Sequence, residues 1–158
     1  MANALLEKKL SEITAPVQDR LRLVFAEKKE PFEVYGLLGE FLSINGKLLR
    51  PALCLSSCSA VGGKPEDAVR AATTIEMFHN FTLIHDDIED CSQKRRGKPC
   101  MHVKYGVPLA LNAGDGLFMI TWREALSISG KRRELVQQKL LTSFTEVLEG
   151  QAAELGWY

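Results

Sequence analysis

Residues 65–90 read PEDAVRAATTIEMFHNFTLIHDDIED. Pro65, Glu66 and Asp67 suit a first helical turn. The missing N–H of proline would have no partner there, and the acids meet the positive end of the helix dipole. Beyond them Ala68, Val69, Ala71, Ala72, Ile75, Met77, Phe78, Phe81, Leu83 and Ile84 cover much of the circumference at about 100° per residue. A helix apolar on so many sides needs neighbours on several sides, so this segment is predicted to lie at the centre of the domain. It ends on Asp86-Asp87-Ile88-Glu89-Asp90, four carboxylates in five residues.

Outward from this helix the apolar spacing stays helical, and no segment alternates strictly enough to propose a strand. The expectation is an all-α bundle of about six helices. Leu5, Leu6 and Leu10 begin a first helix; Thr14 suits a cap, with Pro16 in the first turn of a helix carrying Val17, Leu21, Leu23 and Val24. Pro31 opens a helix bearing Val34, Leu37, Leu38, Phe41 and Leu42, and Asn45-Gly46 stops it. A third runs from about Leu48 to Val61 and ends at Gly62-Gly63. After the central helix, residues 91–105 are predicted to form a polar loop. Helices follow at about 107–128 and 132–156, parted by Ser129-Gly130.

The chain has 158 residues, 46% hydrophobic and 25% charged, which suffices for one packed core and excludes disorder. Twenty Lys and Arg balance twenty Asp and Glu, so no overall field draws it to nucleic acid or an anionic membrane. No apolar run reaches the ~18 residues of a membrane span. Lys8 and Lys9 fall where a secretory signal would need its apolar stretch, and the expected compartment is the cytoplasm. Cys54, Cys58, Cys91 and Cys100 have neither paired CxxC spacing nor the density of a disulfide scaffold. Cys54 and Cys58 could share a metal, but small core residues are the plainer reading. Cys91, following a run of carboxylates, is a poor nucleophile.

Chemistry concentrates at the acidic helix end. Asp86 and Asp90 lie about 40° apart on one face and about 6 Å from each other, so both can offer oxygens to magnesium ions. His79, seven residues earlier, is only about 20° away on the same stripe. Asp87 points more than about 90° away and is given a supporting part at the metal. Acids at a helix C-terminus oppose the dipole and repel each other, costs that a bound cation removes. A frayed acidic helix end is the competing reading of the same residues. Behind them lie Lys94, Arg95, Arg96, Lys98, His102 and Lys104, with no acid between 91 and 104. Lys47 and Arg50, in Gly46-Lys47-Leu48-Leu49-Arg50-Pro51, can face one anion. A solvated patch would explain the basic loop alone; one acidic and two basic sites together suit ligands carrying diphosphates.

Gly46-Lys47-Leu48-Leu49-Arg50-Pro51, His79 within IEMFHNFTLIHDDIED, Arg95-Arg96-Gly97, Asn112-Ala113-Gly114-Asp115 and Gly150-Gln151 resemble, in order and spacing, the trans-isoprenyl diphosphate synthases. The resemblance spans about residues 40–155. It implies a helical bundle of the isoprenoid synthase type and condensation of isopentenyl diphosphate with an allylic diphosphate, with Mg2+ as cofactor and a C15 or C20 product. It assigns Lys47, Arg50, His79 and Arg96 to isopentenyl diphosphate, Asp86 and Asp90 to magnesium on the allylic diphosphate, Arg95 to that same diphosphate, and Gln151 to the allylic site. An aromatic at Phe81, followed by Thr82, implies a floor that limits chain length; ordinary core packing is the alternative for Phe81. Asp115 is expected to be a buried, hydrogen-bonded structural acid.

The length departs from this family, whose members are about twice as long and carry a second aspartate-rich motif. No second motif follows Asp90, and Glu154 stands where Asp is usual after GQ. Residues 1–158 therefore read as the N-terminal half of such a domain. Three explanations stay open: a fragment, a half-length subunit completed by another chain as a homodimer or heteromer, or an inactive homologue. The alternative function is a non-catalytic diphosphate-binding or regulatory subunit pairing with a full-length synthase.

Overall fold

The computed structural model describes residues 2–26, 28–43 and 46–157. Seven helices stand among them: α1 (Ala2–Ala26), α2 (Phe32–Leu42), α3 (Leu49–Ala60), α4 (Pro65–Glu89), α5 (Met101–Tyr105), α6 (Val107–Leu126) and α7 (Arg133–Leu155). A two-stranded hairpin, β1 (Lys94–Arg95) and β2 (Lys98–Pro99), precedes α5. Asn45, half of the expected Asn45-Gly46 stop, lies outside the described residues.

The central position expected of α4 is observed: it touches α1, α3, α5, α6 and α7. Its buried residues include Ala72, Met77, Phe78, Phe81 and Ile84, and each large apolar side chain so covered contributes about 1.5–3 kcal/mol. Phe78 stacks on Phe144 of α7 with ring centroids 3.7 Å apart. Thr73 and Thr74 are fully buried, and their hydroxyls donate to the carbonyls of Val69 and Arg70, each at 2.8 Å. Gly114 lets α6 approach closely, since a Cβ there would stand 2.7 Å from His85 Nε2.

Three local expectations change. First, α1 runs unbroken through Pro16. Thr14 does not cap a new helix; it is buried and its hydroxyl donates to the Leu10 carbonyl at 2.8 Å. Thr14 and Val17 are both covered when the helix continues, and that burial offsets the hydrogen bond proline cannot make. Second, the loop at 91–105 contains the hairpin and α5. Arg95 pairs with Lys98, leaving Arg96-Gly97 as a two-residue turn in which both residues have positive φ, 52° and 80°. That is the twist a tight hairpin needs, and two-residue strands are too short to show alternation. Third, Asp115 is exposed, because Ala113, Gly114, Leu117, Ile120 and Thr121 form the inward face of α6.

An ion-pair cluster centred on a buried carboxylate joins three helices of this packing. Glu124 of α6, 4% exposed, receives Nε and Nη2 of Arg20 at 2.8 and 2.7 Å and Nη1 of Arg70 at 3.5 Å, tying α1 and α4 to α6.

Candidate functional site

α4 ends in a Schellman turn: Cys91 N–H donates to Ile88 O and Ser92 N–H to Asp87 O, with Cys91 at φ 51°. The turn aims the last acids and delivers the chain into the hairpin. Asp87 points inward, is 2% exposed, and accepts Nε and Nη2 of Arg95 on one oxygen at 2.8 and 2.7 Å. Its other oxygen has no hydrogen-bond partner among the described residues. The Cys100 thiol lies against this carboxylate, and burial together with that contact pushes the thiol up to about 11.

Asp86 is half-buried and Asp90 exposed, on the outer side of the same helix end. Burial pushes the Asp86 carboxyl up, and Glu89 and Asp90 push it further, while Arg95 pulls it down. Like charges crowded in this way fit a cation. Among the described residues no three His, Cys, Asp or Glu side chains converge on one point. Asp86 and Asp90 are two carboxylates at one helix end, and magnesium is commonly held by one or two carboxylates together with phosphate oxygens and water.

About 10 Å further down α4, by helical rise, lies a cationic cradle. Arg50 Nη1 stands 3.2 Å from His79 Nε2. A guanidinium can only donate, so His79 accepts there and carries its proton on Nδ1. Burial, then Arg50, Arg96 and Arg95, lowers the His79 pKa to about 4, so the ring is neutral at pH 7. Arg96 lies over Gly46: a Cβ at Gly46 would meet Arg96 Nη2 at 2.7 Å. Leu48, at φ 50°, turns the chain from Gly46 into α3. Two non-glycine residues in left-handed conformation, Leu48 and Arg96, thus flank the cradle, and such backbone costs about 1–3 kcal/mol each. Lys47 is exposed on the segment between Gly46 and Leu48.

Apolar surface runs along α4 from the acids past the cradle. A trough of about 700 Å3 is lined by Arg50, His79, Thr82, Phe78, Leu140 and Val147 among others. A smaller recess, about 140 Å3, is lined by Phe81, Thr82, His85, Asp86, Glu89, Val147, Leu148 and Gln151. Thr82 faces both. Phe81 is 7% exposed and packs on Phe118 and His85 at centroid distances of 4.9 and 4.6 Å, so it is a core residue and a wall of the recess at once. Gln151 reaches the acidic end, donating to Glu89 Oε2 at 3.0 Å.

A model of the family described as Polyprenyl synthetase matches residues 33–158. The chain belongs to this family. Within the polyprenyl synthetases it is 36% identical over 157 residues to a protein named geranylgeranyl pyrophosphate synthase from Geoglobus acetivorans, covering 94% of this chain and 48% of that one. It is 38% identical over 101 residues to the heterodimeric geranylgeranyl pyrophosphate synthase large subunit 1, chloroplastic, of Arabidopsis thaliana, covering 63% of this chain and 27% of that one. The crystal structure of geranylgeranyl pyrophosphate synthetase from Pyrococcus horikoshii Ot3 superposes with a TM-score of 0.92 at 31% identity, over 99% of this chain and 48% of that one. This polyprenyl synthetase chain thus spans about half, or less, of the length of the curated relatives it matches.

Sequence reading missed Glu76, Asn80 and His85, and counted Glu89 among the acids without giving it a part of its own. His85 Nε2 is buried without a hydrogen bond among the described residues, 3.4 Å from Asp115 Oδ1. Glu76 and Asn80 share the helix of His79, but nothing in the spacing marks polar residues there as buried.

Proposed function

We propose that this chain forms the substrate-binding N-terminal part of a trans-prenyltransferase that joins isopentenyl diphosphate to an allylic diphosphate, with C15 or C20 products favoured. The observation that carries the reading is the pairing along α4 of a cationic cradle, Arg50 with neutral His79, and a crowded carboxylate end at Asp86, about 10 Å apart.

In this reading Lys47, Arg50, His79 and Arg96 hold the diphosphate of isopentenyl diphosphate. A neutral His79 adds no charge but donates from Nδ1 or accepts at Nε2. Asp86 and Asp90 hold Mg2+ ions, with Asp87 acting indirectly through Arg95. Mg2+ held at these carboxylates would supply positive charge to the departing allylic diphosphate. Arg95 and Gln151 orient that same group. The allylic C–O bond breaks with its electron pair leaving on diphosphate. The double bond of isopentenyl diphosphate then attacks the allylic carbon, and a proton is lost from the adduct. Residues of the trough exclude water, which would otherwise capture the allylic cation. Phe81 and Thr82 bound the space for the growing chain.

The trough is open on one side, and Leu135, Leu141, Val147 and Leu148 of α7 and Met119 and Leu126 of α6 are exposed. Apolar surface of this extent suits cover by further helices carrying a second aspartate-rich motif, in a homodimer or heteromer. Among the described residues no helix is long and apolar enough to cross a membrane; the lack of paired cysteine spacing supports a cytoplasmic setting. The alternative, a non-catalytic diphosphate-binding or regulatory subunit, has no observation in its favour, since the relatives above carry synthase names.

The test is incubation of the purified chain with Mg2+, isopentenyl diphosphate and an allylic diphosphate, alone and with candidate partner chains. A longer prenyl diphosphate seen by mass spectrometry supports the reading. None in any combination refutes it for this polypeptide.

A further inference from the structure

On the side of α4 facing α1 and α2 lies a cleft of about 370 Å3 that no step above uses. Its floor includes Glu76 and Asn80, 4% and 3% exposed. Asn80 Nδ2 donates to Glu76 Oε1 at 3.1 Å and to the Glu76 carbonyl at 2.8 Å. Gly46 and Arg96, which also belong to the cradle, form part of its wall. Glu76 is three residues from His79, yet it lines this cleft while His79 lines the trough.

A carboxylate this deeply covered is costly unless it is compensated. Burial pushes Glu76 up, while the Asn80 amide and then the charges of Arg96 and Arg50 pull it back. The two guanidinium groups whose field reaches Glu76 are thus those assigned to the diphosphate. The influence is mutual: a negative charge behind the cradle lowers its positive potential. A site built from Lys47, Arg50 and Arg96 without such a counter-charge would hold a polyanion strongly and release it slowly.

We propose that Glu76 is a positioning residue that limits the affinity of the cradle for diphosphate, offsetting part of the Arg50 and Arg96 charge from behind without touching the ligand. This rests on the reading of Lys47, Arg50, His79 and Arg96 as a diphosphate site.

The test is calorimetric titration of the full chain with inorganic pyrophosphate at pH 8, well above the ordinary carboxylate range and without metal. Glu76→Gln keeps an oxygen to accept from Asn80 and removes the charge; it is expected to bind about three- to tenfold more tightly. Glu76→Asp keeps the charge and is expected to stay within about twofold of the parent. Equal or weaker binding by Glu76→Gln overturns the proposal, since a purely structural role can only loosen the cradle. Should Glu76→Gln not fold by circular dichroism, Glu76→Met, of similar volume and also uncharged, serves the same comparison. Arg50→Gln separates the two claims. If the parent binds pyrophosphate and Arg50→Gln does not, the cradle stands and the Glu76 variants decide. If the parent does not bind, or Arg50→Gln leaves binding unchanged, the cradle reading falls and this proposal with it.

Discussion

Asp87, 2% exposed, and Arg95 form the tightest polar contact at the acidic end: one carboxylate oxygen takes two guanidinium nitrogens at 2.8 and 2.7 Å. The middle acid of the motif therefore points into the protein and anchors the hairpin, while Asp86 and Asp90 face outward. Asp87→Asn removes the charge that Arg95 is built around. With Arg95 still 29% exposed, the expected loss is about 1–3 kcal/mol, seen as an earlier midpoint in urea unfolding. An unchanged midpoint would show that Asp87 does not hold the hairpin.

Gly46→Ala isolates the cradle from the fold. The added Cβ would meet the tip of a flexible side chain, Arg96 Nη2 at 2.7 Å, which can swing away at little cost to folding. The thermal midpoint is expected to stay within about 2 °C, while pyrophosphate binding weakens about tenfold, the size of one displaced charge-assisted hydrogen bond. Parent-like binding by calorimetry would place Arg96 outside the anion site.

His79 supplies a pH signature. Its folded pKa, about 4, lies below the ordinary 6.5, so the unfolded chain takes up the proton first as pH falls. The stability this group contributes is complete above about 6.5 and is lost progressively towards 4. Nuclear magnetic resonance should find its midpoint near 4 in the free protein and raised when pyrophosphate occupies the cradle, because an anion favours the imidazolium. A free-protein midpoint near 6.5 would contradict the burial and the arginine contacts.

Phe81→Ala enlarges the recess beneath Asp86 and is predicted to lengthen products in a catalytically complete assembly. Phe81 is also core, so a stability loss of about 3–5 kcal/mol is expected beside it. An unchanged product profile by mass spectrometry, in a variant shown to be folded, would leave Phe81 with packing alone.

The parts legible in the sequence were those with one dominant cause. The central helix is readable because apolar residues occupy so much of its circumference, and its acidic end because four carboxylates in five residues repel each other and oppose the helix dipole. Pro16 misled, because local propensity argues for a break while the burial of Thr14 and Val17 argues for continuity, and burial prevails. The sequence around Asp115 argues for an inward carboxylate, but Gly114 takes the close contact with α4 and its neighbour faces outward. The Arg96-Gly97 hairpin is too short for any periodicity, and Glu76 is distinguished only by burial and by the two arginines, Arg50 of α3 and Arg96 of the hairpin, that the fold brings near it.

The central claim is that one face of α4 carries a metal-independent diphosphate site at His79 and a metal-dependent one at Asp86. Calorimetric titration with isopentenyl diphosphate and with an allylic diphosphate, each with and without Mg2+, tests it most directly. The account predicts that isopentenyl diphosphate binds without metal and is weakened about tenfold or more by Arg50→Gln but not by Asp86→Asn, whereas the allylic diphosphate binds only with Mg2+ and is lost in Asp86→Asn. Allylic binding that ignores both Mg2+ and Asp86→Asn would contradict it.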